Sequence, residues 1–248
     1  ISVKFFSTNT YDVPKDLSTI CITKNEVSPE LGGMTEQQIQ KIWQSVESLY
    51  KTGNHPLISM CLRRKGQILL NRSLGYSHAH VGNQLNNQNI IANPDTPICL
   101  FSASKIVNAM LVHLLNEQGE INLLDPVSRY IPEFAANGKR RATIFHLLSH
   151  RGGIPNIETK VTPELLFDRE QILQLLYRAK PVAYAGTKLA YHAVTAGYIL
   201  GELIERVTGQ DIRQFLHEHI EKPMEMDFFN FGLKPELRDQ AALNYPTG

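Results

Sequence analysis

Phe101-Ser102-Ala103-Ser104-Lys105 opens the most apolar helical run of the sequence; strand-like runs precede it and helical periodicity follows it. Residues 102–118 place Ile106, Val107, Met110, Leu111, Leu114 and Leu115 at helical spacing, and Gly119 closes the run. Positions three apart share a helix face, so the Ser102 hydroxyl and the Lys105 amine come within reach of each other. A serine hydroxyl is a poor nucleophile until a neighbouring base takes its proton. Lysine can be that base where burial and nearby positive charge favour its neutral form. The start of a helix adds unpaired backbone N–H groups and the positive end of the dipole, both suited to an oxyanion.

Two common residue types at this spacing also meet by chance, about once in a chain of ordinary composition and this length. Ser48-Leu49-Tyr50-Lys51 is such a copy. It sits at the C-terminal end of an amphipathic run just before Gly53, where the dipole has the wrong sign, and it reads as solvated surface. Context therefore selects Ser102.

Upstream of residue 101, Leu57–Leu62 and Gln67–Gly75 are apolar, strand-like runs joined by Arg63-Arg64-Lys65-Gly66, an antiparallel hairpin by its turn chemistry. Before them, Thr35 offers a helix N-cap and Gln38 is placed to close a capping box. Ile39, Ile42, Trp43, Val46, Leu49 and Tyr50 follow at helical spacing. Residues 1–34 lack sustained periodicity and carry Pro14, Pro29 and Gly32-Gly33, which predicts an extended arm. Residues 83–93, rich in Asn and Gln, read as a loop. Downstream, helical runs fall near 143–150, 164–179, 191–208 and 211–220. A hairpin followed by many helices predicts an α+β chain. We expect an arm over 1–34 and one domain over 35–248, its sheet-side part at 35–100 and its mainly helical part at 101–248.

The composition excludes several classes of function. With 25 Lys+Arg against 24 Asp+Glu, no net field recruits nucleic acid or an anionic membrane. The basic runs Arg63-Arg64-Lys65 and Lys139-Arg140-Arg141 are short enough to be solvated turns. No stretch approaches 18 apolar residues, so no membrane span is expected. Cys21, Cys61 and Cys99 are far apart and odd in number, which fits neither a disulfide framework nor a metal or redox pair. Read as buried small apolar residues, they favour a cytoplasmic or organellar compartment over a periplasmic one.

The pentapeptide at 101–105, opening a buried helix after a strand–loop unit, resembles the nucleophile motif of serine β-lactamases and penicillin-binding proteins, above all the subset with class C enzymes and family VIII carboxylesterases. Other stretches resemble that family in the same order. Arg64-Lys65-Gly66 through Leu74-Gly75-Tyr76 is similar to its first hairpin. Leu123-Leu124-Asp125-Pro126-Val127 with Tyr130-Ile131-Pro132 is similar to the segment after its nucleophile helix. His146-Leu147-Leu148-Ser149-His150 with Gly153-Ile154-Pro155 resembles its Leu-Leu-Thr-His-x-x-Gly-Leu signature. Ala185-Gly186-Thr187 through Tyr191, then Gly197-Tyr198-Ile199-Leu200-Gly201, resembles the stretch bearing its second catalytic motif. The resemblance spans roughly residues 55–245, and an ordered set of motifs is far more specific than any one.

The resemblance implies a β-lactamase-like α+β fold and an acyl-enzyme mechanism, with Ser102 as nucleophile, Lys105 beside it, Tyr191 as the proton-shuttling phenol, and no cofactor or metal. It implies a small-molecule ester, amide or β-lactam as substrate. Where the family usually has Tyr-x-Asn, this chain reads Tyr191-His192-Ala193. Ala193 cannot donate to a substrate amide, which favours an ester; β-lactams and D-alanyl peptides are the runners-up. His192 is a partial substitute at most, since adjacent residues on a helix face different ways. The family's later strand bearing Lys-Thr-Gly or His-x-Gly has no counterpart before Gly248. The sheet is therefore expected to lack its C-terminal strands, with a further fragment or a partner chain supplying them, because a two-strand hairpin is poorly stable alone.

Three other readings compete. Gly75-Tyr76-Ser77-His78-Ala79 nearly matches the nucleophile elbow of α/β-hydrolases, without the last glycine or a following helix. His146 with His150, His217 with His219, and His78 with His80 are closely spaced histidines, yet no Glu follows His146 and no Cys or carboxylate array accompanies them. They read as structural or surface groups. A non-catalytic scaffold or assembly relative is the third reading.

Overall fold

Lys65 and Gly66 both take left-handed backbone, at φ 50° and 77°. Positive φ at both centres is what a two-residue type I′ turn requires, and the twist of that turn matches that of the flanking strands. The hairpin consequently closes more tightly than the expected four-residue connection, with Arg64 paired to Gln67. The computed structural model describes residues 11–79, 89–157 and 162–245. His80, the first ten residues of the expected arm and most of the expected loop at 83–93 lie outside them.

The chain forms two units: residues 1–99 with 234–248, and residues 100–233. The first unit holds β1 (Cys21–Thr23), α1 (Glu36–Tyr50), β2 (Leu57–Arg64), β3 (Gln67–His78) and β4 (Ile90–Ile91). Their antiparallel sheet runs β1-β3-β2, and β4 pairs with the far end of β3. β1 thus lies inside the stretch expected as an arm. Glu26 fastens that stretch to β3 by accepting from the Asn71 N–H and holding the Arg72 guanidinium through two contacts of 2.7 Å. Leu243 N–H donates to the Ser77 carbonyl at 2.9 Å, and the Tyr245 hydroxyl accepts from Ala79 N–H at 2.7 Å.

The capping box forms as read: Thr35 Oγ1 accepts from Gln38 N–H, and Gln38 Oε1 accepts from Thr35 N–H. Gly75 lies inside β3 at φ 112°, where a Cβ would stand 2.1 Å from the Pro56 carbonyl oxygen. Only glycine fits there. Ser77 is the penultimate residue of β3 and 5% exposed, with its hydroxyl facing the Ile90 carbonyl at 3.3 Å. An elbow nucleophile sits on a strand-to-helix turn, whereas Ser77 lies within β3, which continues to His78.

The second unit is helical: α2 (Ser104–Glu117), α3 (Ile144–Leu148), α4 (Arg169–Arg178), α5 (Thr195–Thr208) and α6 (Ile212–Leu216), with short 3₁₀ turns between them. Leu111 and Leu115 of α2 share one buried cluster with Ile144, Leu176, Ile199 and Leu203. Each such side chain contributes roughly 1.5–3 kcal/mol by leaving water. α5 begins at Thr195, not at the expected 191, so Tyr191 stands on irregular chain before it.

Lys139 corrects the reading of its basic run as a solvated turn. It is 1% exposed, and its ammonium donates to the carbonyls of Ala136 (2.8 Å), Tyr177 (2.9 Å) and Ala179 (2.5 Å). The carbonyls at the end of α4 and of the neighbouring 3₁₀ segment lack helical partners, and one ammonium satisfies all three. The cysteines are a second correction: Cys61 and Cys99 are exposed and Cys21 is half-buried. Their burial therefore gives no ground for choosing a compartment. Among the described residues no helix is long and apolar enough to cross a membrane.

Candidate active site

Ser102 sits on a 3₁₀ turn, Phe101–Ala103, that leads directly into α2. The sequence places it at the first residue of an α-helix; the structure places it two residues before α2. Three residues per turn eclipse positions i and i+3. That alignment brings Lys105 Nζ to 3.3 Å from Ser102 Oγ. Phe101, the residue before the serine, has φ 46°. A bulky side chain rarely adopts the left-handed region, and such strain persists where the surroundings impose it.

Tyr191, 89 positions along the chain, reaches the same point. Its hydroxyl hydrogen-bonds Ser102 Oγ at 2.7 Å, and the Lys105 ammonium stands 5.1 Å from its ring centroid. The Ser102 hydroxyl first, and Lys105 second, hold the Tyr191 phenol below its ordinary pKa. The side chain is 52% exposed, so solvent screens these effects in part. The structure thus brings Ser102, Lys105 and Tyr191 into one cluster within one unit.

The backbone around Tyr191 is pinned from beneath. His192 is fully buried: Nδ1–H donates to the Ala190 carbonyl at 2.6 Å, and Nε2 accepts from Ile154 N–H at 3.1 Å. Those partners assign the tautomer. Burial pushes its pKa down, so it is a neutral anchor. His192 therefore points into the core and does not stand in for the family's asparagine, while Ala193 is exposed. Thr195 Oγ1 donates to the Ile154 carbonyl at 2.7 Å, which fixes the start of α5 against the same loop.

His146 and His150 do not form the i, i+4 pair that the spacing suggests. α3 stops at Leu148, and His150 turns to φ 58°. His146 Nδ1 closes a capping box with Thr143 N–H at 3.2 Å. His150 instead lies edge-on to Tyr191, with ring centroids 4.8 Å apart. Sequence reasoning passed over His150 as a structural group. Its place in the 146–155 signature was the one available signal, and spacing alone pointed to a metal rather than to the tyrosine. The decoy Ser48 donates its hydroxyl back to the Gln44 carbonyl of α1 at 2.8 Å.

The sequence matches the family described as Beta-lactamase over residues 37–247. It is 33% identical over 141 residues to the esterase/beta-lactamase LipL of Mycobacterium tuberculosis, covering 57% of this chain and 32% of that protein. It is 27% identical over 240 residues to a putative D-alanyl-D-alanine carboxypeptidase of Escherichia coli, covering 90% of this chain and 55% of that protein. Among solved structures, a family VIII carboxylesterase superposes with a TM-score of 0.73 at 27% identity, over 89% of this chain and 56% of that one. A penicillin-binding protein homolog from Caulobacter crescentus superposes with a TM-score of 0.71 at 28% identity, over 79% and 51%. The chain spans about half the length of most of these relatives, and a third of the first. The antiparallel sheet and helical unit are those of the β-lactamase-like fold, and the chain belongs to the beta-lactamase family.

Proposed function

We propose that this chain carries the nucleophile, base and lysine of a serine hydrolase that acts on esters through an acyl-enzyme. The observation that carries the reading is the contact of one serine hydroxyl with both a phenol, at 2.7 Å, and an ammonium, at 3.3 Å. Ser102 Oγ attacks the ester carbonyl carbon while Tyr191, as phenolate, takes its proton. Tyr191 is the base rather than Lys105 because it lies nearer and its phenol is already drawn toward ionisation. Lys105 stands beside both oxygens. The alkoxide then leaves with the proton from Tyr191. Water adds to the acyl-serine, giving its proton to Tyr191, and Ser102 Oγ departs and recovers it. The Ser102 backbone N–H, at the start of its turn, is one donor to the oxyanion.

The exposed methyl of Ala193 supports an ester over an amide or β-lactam, because no side-chain amide is available there to grip a substrate N–H or C=O. The test is treatment with an alkyl fluorophosphonate, intact-mass measurement and mapping of the adduct. One adduct on Ser102, absent from Ser102→Ala, with hydrolysis of p-nitrophenyl esters faster than of a chromogenic β-lactam, is the expected result. A folded protein that takes no adduct would leave the non-catalytic scaffold as the better reading.

A further inference from the structure

We propose that His150 positions Tyr191: its carbonyl and its ring hold the two peptide groups that flank the tyrosine, and protonation of the ring releases one of them and shuts the site. The inference rests on Ser102 and Tyr191 acting as nucleophile and base.

Three consecutive residues meet His150. The Ala190 N–H donates to the His150 carbonyl at 3.0 Å, and the His192 N–H donates to His150 Nδ1 at 3.3 Å. Between those two bonds the imidazole lies edge-on to the Tyr191 ring, at 4.8 Å and 66°, and it stacks over His192 at 5.9 Å. Both acceptors of one residue face a single strand of chain because the backbone at His150 is left-handed, at φ 58°. His is among the side chains enriched in that conformation, and strain of this sort gathers where geometry matters. The Tyr191 hydroxyl is thereby set 2.7 Å from Ser102 without a helix to hold it.

Nδ1 accepts, so the neutral ring carries its proton on Nε2. A second proton on Nδ1 would face the His192 N–H, donor against donor. The groups around the ring are the Lys105 ammonium on α2, the Tyr191 phenol, and His192, which is neutral and tied to Ile154 and Ala190. Among the described residues no carboxylate bonds to the ring. Burial and then Lys105 both oppose the imidazolium, so the ring stays neutral until the pH falls below the ordinary histidine range.

The test uses His150→Ala and His150→Asn. Asn tolerates the left-handed backbone and offers Oδ1 where Nδ1 stood, but does not titrate. The expected result is a fall in kcat of about 10²-fold in His150→Ala with KM within about twofold, and recovery to within about fivefold in His150→Asn, as for a misplaced catalytic group. In the wild type, the logarithm of the Ser102 labelling rate falls with slope one as the phenolate is lost, then with slope two once His150 protonates. In His150→Asn the second limb disappears. Exchange of the His192 amide, faster in His150→Ala and normal in His150→Asn, reads the clamp without activity. Wild-type rates in His150→Ala, or a second acid limb surviving in His150→Asn, would overturn the inference while leaving the proposed reaction standing. A wild-type Ser102 that takes no adduct would overturn the reaction itself, and the positioning role with it.

Discussion

Two lysines of the helical unit are held in opposite ways. Lys139 is buried, and all three of its N–H groups end on backbone carbonyls. Lys105 is half-buried and stands beside two hydroxyls, Ser102 at 3.3 Å and the phenol of Tyr191 beneath its ammonium. Carbonyls do not ionise, so the neighbours of Lys139 give it no proton to exchange, and the arrangement holds chain segments together. Hydroxyls do ionise, and a cation beside them lowers the cost of doing so. The charge is the same in both places; the acceptors decide between a structural tie and a reactive cluster.

The contrast can be broken by experiment, and the largest effect is expected at the nucleophile. Ser102→Ala should lower ester turnover at least about 10³-fold, as loss of a nucleophile does, with folding stability within about 0.5 kcal/mol of wild type by denaturant melt. Lys139→Met should do the reverse. Three carbonyls lose their donor at once, so stability should fall by about 3 kcal/mol while Ser102 labelling of the remaining folded protein is unchanged. A labelling defect in folded Lys139→Met would erase the distinction drawn here.

Two further changes sharpen it. Tyr191→Phe keeps the ring against His150 and Lys105 but removes the phenol, and kcat should drop about 10²-fold. The labelling rate of the wild type should rise with pH, because the phenol must lose its proton before it can accept one. In Lys105→Met the midpoint of that rise should move upward toward the ordinary tyrosine value near ~10. Lys139 supplies the matching pH signature in stability. Burial pulls its pKa down to about 8. The folded value then lies below that of the unfolded chain, ~10.4, so between these limits the unfolded state holds more protons and stability rises with pH. Lys139→Met should lack that rise. The smallest effect belongs to the decoy: Ser48→Ala should change neither labelling nor stability by more than about 0.5 kcal/mol.

Much of this was legible in the residues. The Thr35–Gln38 box, the α2 run from Ile106 to Leu115, and the pairing of residues 57–62 with 67–75 all followed from patterns that close within a few positions. The hairpin turn was read two residues too long because Arg63 and Arg64 look like turn residues, yet the register continues through them past a slip at Leu62/Arg63. His150 was read for its distance from His146, whereas its role follows from a left-handed backbone that spacing does not reveal.

Local chemistry was enough for the capped start of α1, the existence of the hairpin, and a serine and lysine three positions apart that share a face. The ordered motifs added the family and pointed to Tyr191. Tertiary structure alone decided which hydroxyl would stand at 2.7 Å from Ser102, which lysine would be buried, and which way the histidines would face. The physical reason is the reach of the hydrogen bonds involved. A capping box or a 3₁₀ turn satisfies its donors among near neighbours. Two of the three partners of Lys139, and those of His150 and Tyr191, come from segments distant in sequence, and only the packed unit sets them within bonding distance.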